Sequence, residues 1–187
     1  MVLPVVKYGT PVLRKKGAAV ESITPTVKKL IADMFETMYA FKGIGLAAQQ
    51  VGVPIQLTVL DVRGVTDRPS AAELRGEPVD VASLMPLVLI NPEVSPVGTP
   101  VAGPEGCLSF PEIFADIVRP EVVDVKAKDA EGRPLEFRCS GLLCRAVQHE
   151  LDHLHGILFI DRMDKKTKEE LRPELEQLQA ETKAALK

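Results

Sequence analysis

The sequence predicts an α+β fold: mainly antiparallel strands packed around one central helix, with an N-terminal helix and a C-terminal helix. Three observations lead there. Apolar and polar residues alternate with period two in several short runs, as in half-buried strands. Leu30, Ile31, Met34, Phe35 and Met38 recur instead at helical spacing. A second helical run puts Leu142, Leu143, Ala146, Val147 and Leu154 on one side at about 100° per residue. With 187 residues, 45% of them apolar, the expectation is one domain over 1–187, of which 164–187 form a C-terminal helical extension.

Taken in chain order, Thr24-Pro25 offers an N-cap and a first-turn proline, and Gly43 closes that helix. Ile55, Leu57 and Val59 alternate with Gln56 and Thr58, which reads as a half-buried strand. Residues 63–86 are rich in charge, Pro and Gly and read as a long surface connection with room for a short helix. Leu87 to Ile90 is a continuous apolar strand. Val123, Val125 and Ala127 alternate with Asp124, Lys126 and Lys128, and Leu135 and Phe137 answer across Asp129-Ala130-Glu131-Gly132 as a hairpin. Ser140-Gly141 then opens the central helix and Gly156 stops it. A charged helix follows over roughly 164–186, beginning after Asp164 and interrupted near Pro173. Internal repeats are absent.

The central helix carries the chemistry. His149-Glu150-Leu151-Asp152-His153 sets two imidazoles four residues apart, on one helix face, so both can reach a single metal ion. Glu150 lies beside them, where it can handle the proton of a metal-activated water. This is the H-E-x-x-H pattern of metal-assisted hydrolysis. His149, Glu150 and His153 fall within or at the edge of the helix's apolar sector. Gln148, Asp152, Arg145 and His155 fall on the other side. Burial of three ionisable groups is costly unless they are paired or metal-bound, which favours a site over a hydrogen-bonded core pair. His155 reads as a solvated polar residue.

A catalytic centre usually takes three protein ligands and leaves one position for water. Carboxylates are plentiful, and there are three cysteines. Cys107 stands out by its setting, Pro104-Glu105-Gly106-Cys107-Leu108-Ser109, where a preceding glycine lets backbone approach a ligand closely. Cys139 and Cys144 read as ordinary buried residues.

Three segments together resemble the peptide deformylase family. They are Gly43-Ile44-Gly45-Leu46-Ala47-Ala48-Gln49-Gln50, Glu105-Gly106-Cys107-Leu108-Ser109, and Gln148 through Gly156. The likeness extends over roughly residues 3 to 163, through Tyr8-Gly9-Thr10-Pro11-Val12-Leu13-Arg14, Ile90-Asn91-Pro92 and Gly141-Leu142-Leu143. It implies that Cys107, His149 and His153 bind the metal, that Glu150 is the general acid/base, and that Gln50 and the backbone N–H of Leu108 stabilise the oxyanion. The implied reaction removes the N-formyl group from the formyl-methionine of nascent polypeptides and releases formate. The implied ion is usually Fe(II), although Zn(II), Ni(II) and Co(II) accept the same ligands.

Those residue types suit that chemistry. A divalent cation lowers the pKa of its water from about 15.7 towards about 7. The resulting hydroxide attacks the formyl carbon, an amide such as Gln50 meets the growing negative charge, and Glu150 returns the proton to the leaving amine. Backbone flanking Ile44 is expected to offer an edge on which a peptide adds as a strand, with Gly45 and Gly106 at the substrate and Ile44 and Leu108 around the methionine side chain.

Other classes fit less well. A zincin-type peptidase shares H-E-x-x-H but would take a histidine or carboxylate as third ligand, and a closed structural zinc site would leave Glu150 and Gln50 without a purpose. A non-catalytic relative is disfavoured because Gln50, Cys107 and Glu150 are all present. The net charge of −3 gives no footprint for nucleic acid, and no apolar run suits a membrane span. Unpaired cysteine spacing and the lack of a leader pattern point to a bacterial-type cytoplasm. The charged C-terminal helix reads as a solvated face with i,i+4 ion pairs in preference to a transient ribosome contact.

Overall fold

The computed structural model describes residues 1–187, and its three helices and nine strands confirm the α+β class. Helix α1 spans Pro25–Ala40, with Thr24 capping it by accepting from the Val27 N–H at 3.2 Å. Then come β1 (Gly45–Ala47), β2 (Leu57–Leu60), β3 (Ser70–Leu74), β4 (Glu77–Val79) and β5 (Leu87–Pro96). They are followed by β6 (Pro100–Cys107), β7 (Phe110–Pro120), β8 (Val122–Lys128) and β9 (Pro134–Ser140). Helices α2 (Gly141–Leu154) and α3 (Lys165–Ala185) complete the chain. Seven strands form one antiparallel sheet in the order β1-β2-β5-β8-β9-β3-β4, and β6 and β7 form a separate hairpin.

The sheet is covered on both faces. Leu60, Leu89, Val125 and Phe137 pack with Leu143 and Val147 of α2. On the other side Leu57, Val59 and Ile90 pack with Met34 and Met38 of α1. Lying between two helices, β2 is buried along its whole length, so the half-buried strand expected there is corrected. Gln56 and Thr58 are buried as well, because their side chains find carbonyl acceptors. Gln56 Nε2 donates to Gly17 and Leu154, and Thr58 Oγ1 donates to Leu46.

Three further expectations need correction. Residues 63–86 are not simply a surface connection: they hold the β3–β4 hairpin, whose β3 pairs with β9, as well as a short 3-10 turn at Val81–Leu84. The turn residues Arg75 and Gly76 both have positive φ (53° and 78°), the backbone that a two-residue hairpin turn demands. Helix α3 continues through Pro173 without interruption. Lastly, α2 has no solvated polar side. Arg145 and Asp152 are each only 8% exposed, because the β6–β7 hairpin covers the face that periodicity assigns to solvent. His155 is exposed as expected.

The start of α2 is fixed by backbone crowding. Gly141 has φ +71°, and a Cβ there would lie 2.2 Å from the Pro69 carbonyl oxygen. Ser140 does not cap the helix with its side chain; Ser70 Oγ accepts from the Leu143 N–H at 2.9 Å instead.

Candidate metal centre

His149 and His153 project from α2 towards Cys107, which ends β6 at a break in the hairpin register between Gly106 and Cys107. The ligand atoms of Cys107, His149 and His153 all lie within 4.8 Å of one another, and Cys107 Sγ is 3.4 Å from His153 Nε2. One thiolate and two imidazoles at that separation suit a divalent ion of Zn(II) or Fe(II) type. The fit is reinforced by a hydrogen bond at 2.8 Å between His149 Nδ1 and Glu105 Oε1, which turns the other ring nitrogen towards the trio.

Glu105 is itself held firmly. Arg119 meets it through Nε and Nη2 at 2.6 and 2.9 Å, and Arg145 adds Nη1 at 2.9 Å. Burial alone would raise its carboxyl, but the hydrogen bonds from His149 and Arg119 outweigh that and hold it at about 2. Arg119 also reaches Asp152 at 2.9 Å, and Arg162 pairs with Asp152 from outside. The result is a charge network behind the histidines that sequence reading missed. Glu105 opens the Glu105-Gly106-Cys107-Leu108-Ser109 motif, but Arg119 carries only one signal, a charged residue among the apolar positions of a strand. Periodicity put Arg145 and Asp152 on the wrong side of the helix.

Glu150 is in a different state. It is buried, its Oε2 has no hydrogen-bond partner, and burial pushes its carboxyl up to about 7. Gly45 explains how it fits: a Cβ at that position would stand 2.7 Å from Glu150 Oε1. His153 is kept neutral by burial, which lowers its pKa well below the ordinary value.

Gln50 enters from the 3-10 turn Ala48–Val51 that follows β1. Its Oε1 accepts from the Ala47 N–H at 3.0 Å, so its Nε2 points at Cys107 Sγ (3.5 Å) and Ser109 Oγ (3.2 Å). The amide is thereby fixed with its donor side facing the trio.

A cavity of about 600 Å³ opens over this centre and is lined by Gln50, Cys107, His149 and Glu150. Ile44, Gly45, Gly106 and Leu108 are also part of its lining, and His153 is buried beside Cys107 and His149. All nine residues singled out in the sequence therefore converge. Gly106 differs in one respect from its expected role: a Cβ there would meet the Phe114 ring at 2.7 Å, so its missing side chain accommodates an aromatic neighbour. Other clefts of comparable size, about 470 and 710 Å³, contain none of the three ligands.

Comparison with known proteins agrees with this geometry. The polypeptide deformylase family model matches residues 2–169. A peptide deformylase of Methylacidiphilum infernorum is 46% identical, covering 95% of this chain and 93% of its own. One from Opitutus terrae is 43% identical over 100% of this chain and 98% of its own. A peptide deformylase crystal structure from Legionella pneumophila superposes with TM-score 0.78 at 34% identity, covering 95% of each chain.

Proposed function

The chain belongs to the polypeptide deformylase family, and from that membership we propose that it removes the N-formyl group from formyl-methionyl nascent polypeptides and releases formate. It is a metal-dependent hydrolase of linear amides. What carries this function is the clustering of the Cys107–His149–His153 ligand atoms beside one cavity that also takes in Glu150, whose Oε2 is unpartnered, and the Gln50 amide.

A divalent ion held by Cys107, His149 and His153 would supply Lewis acidity and an activated water at neutral pH. We assign the protein's part as follows. Glu150, buried with Oε2 unpartnered, is placed to accept a proton from an attacking water and to deliver it to the leaving amine. Gln50 Nε2 and the Leu108 backbone N–H donate to the oxygen on which charge develops. Strand β1 lies at the end of its sheet, so Ile44 and Gly45 can pair with the main chain of a peptide, opposite Gly106. Ile44 and Leu108 furnish apolar wall for the methionine. A thiolate as third ligand argues against a zincin-type peptidase.

For the ion in the cell we propose Fe(II). Because a thiolate-ligated iron is oxidisable and all three cysteines are free, we place the reaction in a reducing cytoplasm. Transient ribosome contact is a separate proposal, supported by exposed Lys165, Lys166 and Lys168 in the first turn of α3. Reversing those three charges should weaken co-sedimentation with ribosomes, and unchanged co-sedimentation removes that contact.

The direct test is formate release from formyl-Met-Ala-Ser by protein loaded anaerobically with Fe(II) or Ni(II). Metal-dependent release is expected. Cleavage of an unformylated control peptide would indicate a peptidase, and silence with one bound metal per chain a non-catalytic relative.

A further inference from the structure

We propose, building on the deformylase activity, that the mouth of the cavity selects formylated peptides carrying acidic side chains shortly after the methionine. Lys7, Lys42 and Arg68 line the same cavity as the metal ligands, and none of the three forms an ion pair within the chain. Arg68 Nη2 donates to the Pro104 carbonyl at 3.2 Å, which anchors the side chain beside β6 while its charge stays uncompensated. Lys42 is exposed and immediately precedes Gly43 on the β1 side of the opening.

The acids around the cavity do not cancel this charge. Glu105 is buried and paired with Arg119 and Arg145, and Glu150 is buried at the centre. Glu112 alone is an exposed carboxylate at the rim. Lys42 and Arg68 are therefore two uncompensated cations at this mouth, on a chain whose overall charge is −3, whereas Lys7 is shared with a neighbouring cleft that Glu174 and Glu181 also line. A cationic mouth is thus a local feature and not a consequence of general basicity.

Peptide geometry brings substrate side chains to this rim. An extended segment pairing antiparallel with the β1 edge has its N-terminal end by the metal ligands and runs outward past Gly43 to Lys42. With the formyl-methionine side chain taken up between Ile44 and Leu108, the residues that follow would be the first to meet Lys42 and Arg68. Phe41 and Phe114, 46% and 70% exposed, flank the same opening and contribute low-dielectric walls. Charge–charge attraction at such a site is worth roughly three- to ten-fold in kcat/KM at low salt, and it fades as salt screens it.

The test uses the metal-loaded full chain with formyl-Met-Ala-Glu-Glu, formyl-Met-Ala-Gln-Gln and formyl-Met-Ala-Lys-Lys. At low ionic strength kcat/KM should fall in that order, and the ratio of acidic to neutral peptide should shrink towards one in high salt. K42Q and R68Q should each lower that ratio. Calorimetric Kd values for the deformylated peptides should follow the same order, so the preference can be read even without turnover. No turnover of any formylated peptide would count against the deformylase reading; equal turnover and equal Kd for all three would overturn the rim proposal alone. Loss of discrimination together with competitive inhibition by a short oligonucleotide would reassign the cations to nucleic acid and likewise overturn it.

Discussion

Glu150 is the residue at which metal binding and turnover separate. It touches none of the ligand atoms through a hydrogen bond, and its Oε2 has no partner at all. Glu150→Ala should therefore keep one metal per chain by elemental analysis and lose roughly 10²- to 10⁴-fold in kcat, the usual worth of a positioned acid/base. Cys107→Ala should lose metal and activity together. Near-native turnover by the Glu150 variant would remove it as the base. Gly45 makes a finer point, because its hydrogen stands where a methyl would press within 2.7 Å of Glu150 Oε1 and 2.9 Å of its Cγ. Gly45→Ala should lower kcat by displacing that carboxylate while metal content stays at one per chain. If a crystal structure of the variant showed Glu150 unmoved and kcat were normal, the close approach would have no catalytic meaning.

At the scale of elements, Arg119 ties strand β7 to helix α2 by holding Glu105 and Asp152 at once. It is 2% exposed, so Arg119→Met would strip buried carboxylates of a cation, a change that costs about 3–5 kcal/mol when no partner remains. Here Arg145 and Arg162 still serve Glu105 and Asp152, so the lower end is expected in chemical denaturation. Metal affinity should also drop about 10- to 100-fold, because Glu105 orients His149. An unchanged metal Kd would confine Arg119 to a structural role. This network marks the limit of what was legible in the sequence. Helix α1 was readable from Thr24-Pro25 and its apolar spacing, and the β8–β9 hairpin from clean alternation around Asp129-Ala130-Glu131-Gly132. The nine candidate site residues could be proposed from sequence because each sits in a short local motif, and the structure brings them together. The β6–β7 hairpin was not, since Pro100, Pro104, Pro111 and Pro120 with Gly103 and Gly106 blur its alternation. Once that hairpin is missed, the face of α2 that it covers looks like solvent. Helical periodicity alone points Arg145 and Asp152 outward for that reason, because it carries no information about the neighbouring hairpin.

At the scale of the whole molecule, the question is whether α3 is an appendage or part of the body. The family match ends at residue 169, while the helix runs to Ala185. Its inner face nonetheless joins the cluster under the metal site: Leu175 is 6% exposed and packs with Leu13, Phe110, Ile117 and Phe159, with Leu171 and Leu178 at the edge. Phe159 in turn lies against His149 in a tilted arrangement, with ring centroids 5.7 Å apart. Removing a buried leucine costs about 2–5 kcal/mol through lost transfer energy and the cavity left behind. Leu175→Ala should thus lower the melting temperature of the whole protein in one cooperative transition. An appendage would instead fray alone and leave the main transition where it was. Pro173, two residues away, supplies the opposite change. It lacks the N–H that a helix interior uses, so Pro173→Ala should raise the melting temperature without altering metal content. If both variants melted like the parent chain, α3 would be energetically separate, and the contacts of Leu175 would carry no stability.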